Sequence, residues 1–121
     1  MFADPQTVTV DGGAKSFVRR GSTNPAVLGS FKTGDEVYDL EIRQNSTQQR
    51  FRREVRLTKR LVAADPIGAV NKEVSASAII VIDEPKWGFD DAGLLSMLSG
   101  LVGWISASTY ANAEKLLDGE N

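Results

Sequence analysis

Apolar residues recur at every second position over much of the first two-thirds of this chain, and past Asp90 they recur at helical spacing instead. Period two suits a sheet with one face buried and a period near 3.6 suits a helix, so a β-rich stretch followed by a helical one is the strongest constraint on the fold. Thr7-Val8-Thr9-Val10, the turn Asp11-Gly12-Gly13 and residues 16–20 predict a hairpin, because the glycines supply positive-φ positions. A short strand is expected over Ala26–Phe31, closed by Lys32-Thr33-Gly34-Asp35. Over Glu36–Gln44, Tyr38, Leu40 and Ile42 point one way and Asp39, Glu41 and Arg43 the other.

Asn45-Ser46-Thr47 then predicts a turn. On the return strand Phe51, Val55, Leu57 and Leu61 share one face while Arg52, Glu54, Arg56, Thr58 and Arg60 share the other, with Arg53 interrupting the apolar row. Asp65, Pro66, Ile67 and Gly68 mark a loop, Pro and Gly being the breakers. The next strand alternates Val74, Ala76, Ala78, Ile80 and Ile82 with Glu73, Ser75, Ser77, Ile79 and Val81, and is expected to be buried on both faces near its end.

Asp90 is a helix N-cap candidate, and Leu94, Leu95, Leu98, Leu101, Val102 and Ile105 form an amphipathic stripe after it. A second short helix is expected over Ser108–Leu117, ending at Gly119. About six antiparallel strands followed by two helices predict one α+β domain, residues 1–121, with the helices on one face of the sheet. The other face is expected to stay open. It carries Asp39, Glu41, Arg43, Arg52, Glu54, Arg56, Thr58, Ser75 and Ser77.

Ala92–Ala113 lacks charge over a length that could cross a bilayer, but its serines and periodic apolar pattern favour a soluble helix, so no membrane partner is expected. The start, MFADPQ, lacks the basic and apolar runs of a secretory signal, and a cytoplasmic protein is expected. There is neither cysteine nor histidine, which removes thiol chemistry, imidazole ligands and the usual general base near neutral pH. Carboxylate pairs at Asp35/Glu36, Asp83/Glu84 and Asp90/Asp91 suit turns and a helix start, so no enzyme, metal or cofactor is expected.

The net charge of -2 hides a polarised distribution. Residues 1–60 hold eleven basic and seven acidic side chains, and residues 61–121 hold three and nine. Arg50, Arg52, Arg53, Arg56, Lys59 and Arg60 face a single acid, Glu54, within eleven residues. Two readings stand equal on composition. One is a solvated strand face on which Arg52 or Arg56 pairs with Glu41 or Asp39; the other is a nucleic-acid platform, for which arginine's planar fork is suited. The open face has no aromatic residues, which argues against single-strand stacking.

The order of elements resembles the coat proteins of single-stranded RNA bacteriophages, the leviviruses. The likeness rests on the N-terminal hairpin, the strand ending Leu40-Glu41-Ile42-Arg43-Gln44-Asn45, the Arg-rich return strand Phe51–Leu57, the Pro-containing loop, the β-branched strand and two closing helices. It covers roughly residues 6–117. It implies an interlocked homodimer with a continuous ten-stranded sheet, a T=3-type icosahedral shell, and a sheet face that packages genomic RNA and can repress replicase translation through an operator hairpin. It implies a virion location, with assembly in the bacterial host cytoplasm.

By matching strand positions, the resemblance places Arg43, Arg52, Arg56, Thr58, Ser75 and Ser77 on the RNA face, and places Ala63–Lys72, with Asp65, Pro66, Ile67 and Gly68, at the five-fold and quasi-six-fold axes. Leu94, Leu98, Leu101 and Ile105 are expected to bury at the dimer interface, since no other cover for Tyr38, Leu40 and Ile42 is evident in the sequence. Asp39 and Glu41 depart from the family pattern by placing negative charge on the RNA face. The alternative of a different class is a dimeric RNA- or DNA-binding regulator in the cytoplasm that builds no shell.

Overall fold

The computed structural model describes residues 2–21, 27–68 and 70–120, with the backbone alone of Val27 and Leu28. Ala26, the expected start of the third strand, lies outside them. Chain contacts divide the protein into two compact units, Met1–Glu84 and Pro85–Asn121.

The first unit is a six-stranded sheet in which every strand neighbours the next in sequence: β1 (Gln6–Val10), β2 (Gly13–Arg20), β3 (Val27–Lys32), β4 (Tyr38–Ser46), β5 (Arg50–Ala64) and β6 (Asn71–Pro85). Strands β1 to β5 pair antiparallel in sequence order. Strand β6 also runs back along β5, with Arg50 near Asp83 and Arg60 near Glu73.

Turn chemistry explains the joints. Asp11 and Gly12 both have positive φ, 52° and 77°, as a two-residue hairpin loop requires to match the strand twist. Between β3 and β4 the Thr33 hydroxyl donates to Asp35 Oδ1 at 2.6 Å, and the same oxygen accepts the Val37 amide at 3.1 Å. The β4–β5 turn lies at Thr47–Arg50, not at Asn45–Thr47, and is closed by the Thr47 amide donating to the Arg50 carbonyl at 2.8 Å.

The sheet curls so that its apolar face buries itself. Phe17 and Phe31 are fully buried, and Tyr38 and Ile42 join them, with Val8, Val10, Val37, Leu40, Val55 and Leu57 packed around. Gly29 stands opposite Ile42, where an added Cβ would lie 3.3 Å from the Phe31 ring. The N-terminal hairpin closes over this core. Phe17 meets Tyr38 edge-on with ring centroids 6.3 Å apart, and Asp11 accepts the Tyr38 hydroxyl and, at 2.7 Å, the Lys59 ammonium. The expectation that the chain has no cover of its own for Tyr38, Leu40 and Ile42 is therefore corrected: β1 and β2 supply part of it.

Three further expectations change. Strand β6 is not buried on both faces near its end, because Ile79, Ile80 and Val81 are each at least 40% exposed; as the last strand of the sheet it has only β5 as a neighbour among the described residues. The loop expected at Ala63–Lys72 is shorter, with β5 running to Ala64 and β6 starting at Asn71. Glu36 is a positive-φ loop residue, so β4 begins at Tyr38.

The second unit carries α1 (Asp91–Leu117). Asp90 caps it as expected, its side chain accepting the Gly93 amide at 2.8 Å. Residues 107–110 are non-helical, with Ser108, Thr109 and Tyr110 left-handed, so the run is broken and its second part starts after Tyr110, not at Ser108. Across the break Asn112 Nδ2 donates to the Trp104 carbonyl at 2.9 Å. By length and composition α1 could cross a membrane. The break shortens its first straight part, residues 91–106, to about 24 Å, less than a hydrocarbon core of about 30 Å.

Candidate nucleic-acid interface

Directly opposed residues of an antiparallel pair share a face. The register Asp39↔Thr58, Glu41↔Arg56, Arg43↔Glu54 and Asn45↔Arg52 therefore collects the charged residues of β4 and β5 on the face opposite the aromatic core. Strand β6 adds Ser77, whose hydroxyl lies 2.9 Å from that of Thr58, and by alternation Ser75. Arg43, Arg52, Arg56, Thr58, Ser75 and Ser77 thus stand together on one sheet face.

The arginine-rich segment is less free than its composition suggests. Arg50 pairs with Asp83 and Arg53 with Glu84, both at 2.9 Å, and Lys59 pairs with Asp11 at 2.7 Å. Arg60 binds Asp39, and Arg56 lies 3.6 Å from Glu54. Arg52 alone of the six basic residues in 50–60 has no ion pair among the described residues; it stands opposite Asn45. Pairing of Arg52 with Glu41 or Asp39 is therefore not what forms. The interrupting residue Arg53 is explained by Glu84, whose side chain is only 7% exposed on the apolar side.

Asp39 is also not an open-face carboxylate. It is 3% exposed, held between Arg60 and Lys32, the latter 4.0 Å away. The Asp39 carboxylate in turn raises the Arg60 pKa above its ordinary value. Near this end a cleft of about 550 Å³ is lined by Asp35, Glu36 and Glu73 against Lys32 and Arg60, an acidic balance that does not suit an anion. Glu41 and Glu54 divide the middle of the face. Arg43 Nη2 donates to Glu41 Oε2 at 2.9 Å, and its Nε lies 3.7 Å from Glu54 Oε2.

Sequence reasoning missed the part of Glu54 in this arrangement. The signal was present in the Thr47–Arg50 turn, because once Ser46 opposes Phe51 every later pair is set and Arg43 must face Glu54. Among the described residues no group of three or more potential ligands could hold a metal ion.

The remaining expected residues lie elsewhere. Leu94, Leu98 and Ile105 are half-buried, and Leu101 is exposed. At the loop, Asp65 Oδ1 accepts the Ile67 amide at 2.9 Å, and Lys72 reaches Asp65 at 3.4 Å. The Ile67 amide, then the Gly68 amide and Lys72, lower the Asp65 pKa, and the Ile67 side chain is 97% exposed.

No protein-family model matches the sequence, and no curated protein matches it. Solved structures do. The virus-like particle of bacteriophage AVE019 superposes with a TM-score of 0.77 at 14% identity, over 100% of this chain and 98% of that one. The virus-like particle of Beihai levi-like virus 21 gives 0.69 at 11% identity, over 100% and 98%. The bacteriophage GA protein capsid gives 0.64 at 14%, over 98% and 95%. These superpositions, over nearly the whole length of both chains, show that this chain shares the fold of these levi-like bacteriophage particle and capsid proteins.

Proposed function

We propose that this protein is a capsid subunit that forms an interlocked homodimer, builds an icosahedral shell of T=3 type and packages single-stranded genomic RNA against the polar face of its sheet. The observation that carries this reading is an unfinished apolar surface. Strand β6 is fifteen residues long, has β5 as its only neighbour among the described residues and exposes Val74, Ile79, Ile80 and Val81, while no residue of α1 is buried. Long exposed apolar edges template pairing with another strand, and small domains with thin cores gain stability from a partner. A second copy pairing along β6 extends the sheet and gives Leu94, Leu98, Leu101 and Ile105 a surface to bury against. On this reading residues 1–121 are one domain whose core is completed by dimerisation, and the protein resides in the virion after assembly in a bacterial cytoplasm.

The loop around Asp65, Pro66, Ile67 and Gly68 is the part that meets other dimers at the symmetry axes. On the RNA face, Arg43, Arg52, Arg56, Thr58, Ser75 and Ser77 contact RNA, and an operator hairpin bound there would repress replicase translation. Negative-stain electron microscopy of purified recombinant protein tests the reading. Uniform closed shells containing host RNA are expected. Dimers that never close into shells would favour a nucleic-acid-binding regulator instead, and monomers would sink both.

A further inference from the structure

Glu54 sits between two of the arginines assigned to RNA. Its Oε2 lies 3.7 Å from Arg43 Nε and 3.6 Å from Arg56 Nη2, and its side chain is 13% exposed against 27% and 32% for the two arginines. These distances neutralise charge without forming hydrogen bonds, which for N–H donors to oxygen close at about 2.7–3.2 Å. Glu54 Oε2, Arg43 Nε and Arg56 Nε are shielded from solvent yet have no hydrogen-bond partner. The charge of both guanidiniums is thus answered while donor capacity on each is unused. A phosphate group offers the oxygens such a planar fork binds, and two guanidiniums around one carboxylate form a site that an anionic oxygen could share only in competition with Glu54.

We infer that Glu54 is an internal competitor for RNA phosphate, a positioning residue that holds Arg43 and Arg56 in place and keeps the affinity of the free dimer for arbitrary RNA low. This rests on the reading of the polar sheet face as the RNA site. Glu41 supports Glu54 through its 2.9 Å bond to Arg43, which leaves Arg52 as the arginine of this face that meets RNA without an internal rival. RNA that places phosphates to engage Arg43 and Arg56 together displaces the carboxylate's influence. RNA that cannot do so is held by Arg52 alone. Non-specific binding is thereby weakened more than binding to a well-fitting RNA.

The test is binding of a short unstructured RNA to dimers, under conditions that prevent shell closure, as a function of salt. With Arg52 the main contributor, the parent dimer makes about two full phosphate contacts and log K falls with log[salt] at a slope near -1.4. Glu54→Gln releases Arg56 and relieves Arg43, so binding should tighten about tenfold near 0.1 M salt and the slope should steepen by roughly 1.4 or more. Glu54→Asp keeps the charge and should stay near the parent. Glu41→Gln should tighten binding by less, and it carries the same test if Glu54→Gln does not fold.

Unchanged or weaker binding by these glutamine variants, with Arg52→Ala still flattening the slope, would overturn the competition while keeping the RNA face. If Arg52→Ala and the glutamine variants all leave binding and slope unchanged, RNA binds elsewhere, and both the reading and the inference fall.

Discussion

Asp39 and Glu41 alternate on one strand with the same chemistry, yet the first is sealed beneath Lys32 and Arg60 and the second is a partly exposed partner of Arg43. Their contributions should differ accordingly. Asp39→Ala removes the buried acceptor of a charged hydrogen bond from the half-buried Arg60 and should destabilise the fold by about 1–3 kcal/mol. Glu41→Ala should change stability by under about 1 kcal/mol. Urea unfolding of both variants checks this, and equal effects would contradict the burial of Asp39. Acid behaviour follows from Asp35 and Asp65. The Thr33 hydroxyl and the Val37 amide hold the Asp35 carboxyl below its ordinary 3.8, and the Ile67 and Gly68 amides do the same for Asp65. A carboxylate bound this way stabilises the fold above its unfolded-state pKa, and the contribution fades as pH falls through the lower folded-state value. The Asp35→Asn variant should therefore melt lower than the parent near neutral pH, and the gap should narrow as pH falls below the ordinary carboxyl value of 3.8. A gap independent of pH would mean the turn does not depend on the charge.

At the scale of elements, the informative parts are those whose residues disagree with their isolated surroundings. The stripe Leu94, Leu98, Leu101, Ile105 has helical spacing and an intact N-cap, but no helix residue is buried within one chain. If the stripe is covered by a second copy, Leu98→Ala should cost about 2–5 kcal/mol of dimer stability and abolish assembly. Normal shells with unchanged melting would refute that cover. The β5–β6 loop behaves in the opposite way. Its order comes from local bonds to Asp65, and Ile67 projects almost wholly into solvent. If the loop meets other dimers in a shell as proposed, Ile67→Ser should leave dimer melting within about 0.5 kcal/mol of the parent while weakening the shell, read by thermal disassembly of particles. Loss of the dimer itself would place the loop in the core.

For the whole molecule, the question is what finishes the sheet. The fully buried aromatic pair, Phe17 and Phe31, sits at the end of the sheet formed by β1 to β4, far along the strand order from β6. Damage at β6 should therefore spare the curled core and act on association. Replacing Ile80 by lysine places a charge on the exposed edge, a common means by which native edges avoid pairing. Ile80→Lys is expected to yield folded monomers by sedimentation, with the β-sheet circular dichroism retained. Dimers of unchanged affinity would show that β6 is not where the copies meet.

Much of this was legible in the sequence. Alternation at Tyr38, Leu40 and Ile42, the Asp11-Gly12 turn, the breaker Pro66 and the Asp90 cap are local signals, set by side-chain direction and backbone sterics over a few residues, and they located the strands and the helix start. The ordered set of elements also carried the likeness to RNA-phage coat proteins that the superpositions show as a fold. Register and partners were not local. Moving the β4–β5 turn to Thr47–Arg50 decided that Arg43 faces Glu54 and Arg52 faces Asn45. Curling of the hairpin decided that Asp11 would reach Lys59 and Tyr38. Period-two patterning tells which way a side chain points but not what stands opposite, so the neutralisation of five of the six basic residues in 50–60 emerged only when strands distant in sequence were paired in space.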